Sequence, residues 1–116
     1  MSENKRTIEK YMDGFRASDH AAILECLADD IIWEMPGLFH LKGKIAFDGE
    51  IENPAFRGRP LLTVHRMTEE GNVVVLEGRV QAETADGSAF TAEFCDVFEM
   101  EQHKIKRLVG FIAPLK

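Results

Sequence analysis

Residues Phe90 to Met100 read FTAEFCDVFEM, and their alternation decides how the second half of the chain folds. Side chains change face at every residue of a strand. Phe90, Ala92, Phe94, Asp96, Phe98 and Met100 therefore share one face, while Thr91, Glu93, Cys95, Val97 and Glu99 share the other. The first face is apolar except for Asp96. A carboxylate among three phenylalanines is costly unless it is hydrogen-bonded, neutralised or turned toward a ligand. Asp96 is thus the first candidate for chemistry.

The neighbouring runs follow the same rule. Between Val73 and Thr84 the even positions Val74, Leu76, Gly78, Val80 and Ala82 are small or apolar, and Glu77, Arg79, Gln81 and Glu83 between them are polar. Turn signals at Glu70-Gly71-Asn72, Asp86-Gly87 and Glu101-Gln102-His103 separate four strand-like runs. These cover about Leu61–Thr68, Val73–Thr84, Ala89–Met100 and Ile105–Ala113. Short connections between strands predict an antiparallel meander. Its apolar face must be covered.

The first half of the chain supplies the cover. Ile8, Tyr11, Met12 and Phe15 recur at helical spacing and predict an amphipathic helix over about Glu3–Ala17. Gly14 inside it points to close packing. Ser18-Asp19 offers a cap for a second helix, Ala21 to Ala28, which buries Ile23, Leu24 and Leu27 and closes at Asp29-Asp30. Ile31–Met35 reads as a short strand ending at Pro36-Gly37. Trp33 and Met35 share one of its faces and Glu34 takes the other. Gly43 opens a third short helix presenting Phe47 and Ile51, Pro54 stops it, and Gly58-Arg59-Pro60 reads as loop.

A chain of 116 residues makes one α+β domain, residues 1–116. No apolar run approaches the ~20 residues of a membrane span. The N-terminal MSENKRTIEKY lacks the apolar core of a signal peptide, so a soluble, cytoplasmic protein is expected. Twenty acidic against 14 basic residues give a net charge of −6, which argues against a nucleic-acid partner. Cys26 and Cys95 are far apart and read as free thiols. His20, His40, His65 and His103 show no metal-ligand spacing. No phosphate-binding glycine pattern occurs, and no cofactor or metal is expected.

The order helix, helix, strand, short helix, four antiparallel strands resembles the NTF2-like superfamily. Its fold is a cone in which helices cover a curved antiparallel sheet around an internal pocket. The run KYMDGFRASDHAAILECLADDIIWEMPG resembles the family's opening, Leu41-Lys42-Gly43 its step into a helix, and FCDVFEM with the final hairpin its closing portion. Within the superfamily the chain is most similar to the SnoaL-like and ketosteroid-isomerase-like branches. Such isomerases use a helix Tyr and a late-strand Asp as hydrogen-bond donors to an oxyanion. The resemblance puts these roles on Tyr11 and Asp96. It puts the family's proton-accepting Asp, just before a proline, on Met35, which cannot take a proton.

The resemblance therefore implies a pocket for a small hydrophobic, carbonyl-bearing or polycyclic molecule. Asp96 and Tyr11 are its catalytic candidates, and the expected activity is cofactor-free proton transfer of isomerase or cyclase type. Trp33, Met35, His40, Phe47, His65, Phe94 and Phe98 are the candidate substrate contacts. A non-catalytic binding module and a structural domain with a filled cavity stay open as alternatives. The outer sheet face, with Val73, Val75, Cys95 and Val97 among Glu77, Glu93 and Glu99, suits a homodimer contact.

Overall fold

The computed structural model describes residues Ser2 to Leu115. Helix α1 spans Glu3–Ala17. Ser2 caps it by accepting a hydrogen bond from the Lys5 amide, and Ser18 ends it in a left-handed conformation at φ 52°. Ile8, Tyr11 and Met12 are buried, as the spacing requires, together with Gly14. Asp19 caps α2 (His20–Glu25) by accepting from the Ala22 amide. The two helices approach closely at Gly14, where a β-carbon would fall 2.7 Å from Ile23 Cγ1.

Helix α2 stops before the predicted end. Leu27 already belongs to strand β1 (Leu27–Met35) and pairs with Ile105, whose amide donates to the Cys26 carbonyl. Sheet pairing here overrides a pattern that suited either element. A short strand that the sequence does not announce, β2 (Phe39–Lys42), lies antiparallel to β1. It leads through Gly43 into α3 (Lys44–Ile51), which buries Phe47. The meander follows as β3 (Phe56–Glu70), β4 (Val73–Thr84), β5 (Ala89–Glu101) and β6 (Lys104–Pro114). Gly58-Arg59-Pro60, expected in a loop, falls inside β3 where the register with β4 shifts between Arg57 and Leu61. A strand at the sheet's edge tolerates proline there.

The six strands form one sheet in the order β2-β1-β6-β5-β4-β3. All neighbours are antiparallel except β1 and β6, which run parallel, so the sheet is mixed and not wholly antiparallel as expected. No helix among the described residues is long and apolar enough to cross a membrane.

Register stacks the inner face in rows. Val74, Phe98 and Leu108 form one row, Leu76, Asp96 and Gly110 the next, then Gly78, Phe94 and Ile112, then Val80, Ala92 and Pro114. The first row is fully buried against Ile8, Tyr11, Ile23 and Phe47. From Gly110 outward the inner face lines a cavity. Asp96 stands in the row where solid core gives way to open space.

Candidate functional site

The cavity has a volume of about 1010 Å³ and opens to solvent. Trp33 and Met35 of β1, Phe39 of β2, Phe15 of α1 and Ile51 of α3 form one wall, and Leu62, Val80 and Phe90 lie on the other side. Trp33 is held by aromatic neighbours: it stacks on Phe47 with centroids 4.4 Å apart and meets Phe39 and Phe15 edge-on at 5.1 and 6.4 Å. Such pairs contribute about 0.5–1.5 kcal/mol beyond the area they bury.

Asp96 stands beside the cavity wall, next to two of its lining residues, Gly110 and Met35. A β-carbon on Gly110 would lie 2.9 Å from Asp96 Oδ1 and 2.5 Å from Met35 Sδ. Glycine is required there because two side chains occupy the volume a third would need. The Asp96 carboxyl stays partly accessible and has no hydrogen-bonding partner among the described residues. No fully buried side-chain oxygen or nitrogen among them lacks a partner, in keeping with a carboxyl that retains some exposure. Burial in apolar surroundings raises its pKa from 3.8 to about 7, since desolvation disfavours the charged form. Both protonation states are thus populated near neutrality.

Tyr11 is the buried neighbour. Its ring meets Phe98 and Phe15 edge-on at 5.5 and 5.0 Å. Burial, and next the charge of Asp96, hold its phenol well above the ordinary range, so the hydroxyl keeps its proton. It is available only as a neutral hydrogen-bonding group.

The other expected contacts divide into three sets. Trp33 and Met35 line the cavity. Phe47 and Phe98 are fully buried behind its wall, and Phe94 is packed against the core with its ring over Gly78. His40 and His65 lie outside it. His40 is exposed and pairs in register with Glu34, on the face opposite Trp33 and Met35. His65 sits at a β-bulge where the register skips from Val64↔Gly78 to Arg66↔Glu77. A bulge sets two residues against one, and it sends His65 to the outer face, with Nε2 3.2 Å from the Glu93 carboxylate. That bulge also switches the alternation along the run: inner-facing residues are Leu62 and Val64 before it, and Met67 after it.

Several lining residues escaped the sequence reading. Phe39 belongs to the unpredicted β2. Phe56 lies ahead of the predicted start of its strand and packs edge-on against Phe90 at 5.2 Å. Phe15 and Phe90 were visible in the helical and strand spacings, but only the tertiary arrangement distinguishes lining from core.

His20 bridges two helices. Its Nδ1 lies 2.6 Å from Asp48 Oδ1 and its Nε2 contacts Glu52 Oε1. Hydrogen bonds to Asp48 and then to Glu52 raise its pKa. With a carboxylate at each nitrogen, the doubly protonated ring can donate to both and is favoured over the neutral one. It ties α2 to the end of α3, where Ile51, Glu52 and Asn53 line the cavity. Among the described residues no cluster of His, Cys, Asp and Glu has the arrangement of a metal site.

Residues 8–108 match the family described as SnoaL-like domain. No curated protein matches the chain. Among solved structures, an NTF2-like protein from Burkholderia pseudomallei superimposes with a TM-score of 0.88 at 23% identity, covering 95% of this chain and 90% of that one. TerC, co-crystallised with polyporic acid, gives 0.87 at 24% identity over 97% and 92% of the two chains. An LEH-like epoxide hydrolase from M. tuberculosis gives 0.83 at 19% identity over 96% and 83%. At these identities the likeness establishes the cone-shaped fold.

Proposed function

The chain belongs to the SnoaL-like domain family, and we propose that its cavity binds a small hydrophobic molecule bearing a carbonyl oxygen. The observation that carries this reading is Asp96: one carboxyl without a partner among the described residues, set beside Gly110 and Met35 in the apolar inner part of the cavity wall, with a pKa raised by burial to about 7. Protonated, it donates a hydrogen bond to a carbonyl or enolate oxygen. Ionised, it accepts a proton from the carbon next to that carbonyl. A single carboxyl with a pKa of about 7 can do either at working pH, so the chemistry assigned is cofactor-free proton transfer of isomerase or cyclase type. Tyr11, neutral and close enough to feel the Asp96 charge, assists by hydrogen bonding.

One observation favours a second reading. The family's second carboxylate position holds Met35, whose thioether packs beside Asp96 above Gly110. Without a second acid–base group, the same cavity serves as a non-catalytic binding module. Exchange of the α-protons of a bound methyl ketone for deuterium, followed by NMR, separates the two. Exchange that is fast in the wild type and lost in Asp96→Asn, with binding retained, supports catalysis. Binding without exchange in the wild type supports the module, and no binding at all overturns both.

We assign the outer face to a homodimer. Val73, Val75, Cys95 and Val97 form an apolar strip there that is only partly covered within one chain. The two free cysteines suit a reducing, cytoplasmic setting.

A further inference from the structure

The mouth of the cavity narrows the class of ligand. Four of its lining residues are large, apolar and exposed: Leu38 at 69%, Phe111 at 50%, Ile112 at 38% and Phe56 at 37%. They come from three separate places, the β1–β2 turn, the start of β3 and the outer half of β6. The ionic groups of the lining are already engaged. Glu50 accepts from the Asn53 side-chain amide at 2.8 Å, Glu52 meets His20 Nε2, and Arg57 Nε donates to Glu83. At the inner end Asp96 has no partner among the described residues. Polar demand is thus concentrated deep in the cavity, and the mouth offers apolar contact.

We infer that the ligand is elongated and polar at one end only. Its oxygen function sits toward Asp96, and its apolar body runs outward to Leu38, Phe56 and Ile112, with no negative charge at that end. This rests on the proposed binding of a hydrophobic carbonyl compound and adds that compound's polarity and reach. The volume agrees: about 1010 Å³ stands at the upper end of the roughly 300–1,000 Å³ typical of ligand pockets, more than a single ring fills. A negatively charged outer end would lose hydration against Leu38, Phe56 and Ile112, and Arg57, the cation of the lining among the described residues, already meets Glu83.

Methyl ketones of rising length, 2-pentanone to 2-undecanone, test the reach. 10-Oxoundecanoic acid, which replaces the terminal methyl of 2-undecanone with a carboxylate, tests the polarity. Trp33, the chain's one tryptophan, lines the cavity and reports binding by fluorescence. Affinity should tighten by up to about fourfold per added methylene, and the acid should bind at least about tenfold more weakly than 2-undecanone, a cost of the order expected for partly desolvating a charge. Leu38→Glu, in an exposed turn, should weaken 2-undecanone several-fold more than 2-pentanone. Equal affinities along the series, or an acid that binds as tightly as the ketone, overturn the inference while leaving ketone binding intact. If no ketone of any length binds, the underlying function falls and the inference falls with it.

Discussion

Asp96 occupies the space above Gly110 that a side chain there would need. With Oδ1 2.9 Å and Met35 Sδ 2.5 Å from where a β-carbon would stand, the smallest addition must displace one of them. Gly110→Ala should therefore destabilise the fold by about 1–3 kcal/mol, the usual cost of overpacking. It should also weaken ketone binding by moving the carboxyl. Urea denaturation and Trp33 fluorescence measure the two effects.

The pKa of Asp96 makes stability depend on pH in an unusual direction. Its folded value, about 7, lies above the ordinary 3.8. Between these values the unfolded chain releases the proton while the folded chain retains it, so the contribution of Asp96 to stability is full below pH 3.8 and lost as pH rises to about 7. Asp96→Asn removes that loss. The variant should be the more stable protein above pH 7, by at most about 1.4 kcal/mol for each pH unit separating the folded and unfolded values. That is an upper bound because the carboxyl keeps some access to the cavity. Melting curves of both proteins across this range should converge at acid pH; parallel curves would show an ordinary carboxylate.

His20 works in the same sense through attraction. Its folded pKa is raised by Asp48 and Glu52. Its stabilisation is therefore present below the ordinary histidine value, 6.5, and lost as pH rises through the raised one. Asp19, its neighbour in sequence, accepts from the Ala22 amide. His20→Gln should melt earlier than the wild type at pH 6 and together with it at pH 9. Amide exchange at the end of α3 should quicken in the variant at pH 6. No difference at either pH would remove the bridge as a stabilising contact.

Gly14→Ala sets two effects against each other. Alanine gains about 1 kcal/mol of helix propensity over glycine. The new methyl would stand 2.7 Å from Ile23 Cγ1 and 3.5 Å from the Asp19 carbonyl, and Ile23 is fully buried with little room to yield. Overpacking at about 1–3 kcal/mol outweighs the gain, so the substitution should lower the unfolding midpoint. A rise would mean that α1 and α2 separate easily.

The outer-face dimer is tested by sedimentation. The wild type should run as a dimer at micromolar concentration, and Val97→Glu should run as a monomer with an unchanged melting profile. A monomeric wild type would end that assignment.

Periodicity alone specified the inner face of α1 through Ile8, Tyr11 and Met12. It also specified the strand faces through Val74, Leu76 and Phe98, and with them the singularity of Asp96. Helical spacing and strand alternation are relations among consecutive residues, so the chain carries them locally. The rest depends on partners distant in sequence. The bulge that turns His65 outward exists only against β4, the early end of α2 only because Leu27 pairs with Ile105, and β2 only beside β1. The boundary at Asp96 is of the same kind. Its strand is apolar on both sides of it, and the row of Val74, Phe98 and Leu108 becomes core because the helices' side chains reach it. The rows beyond line open space, which is a matter of where the helices stop and not of which residue follows which.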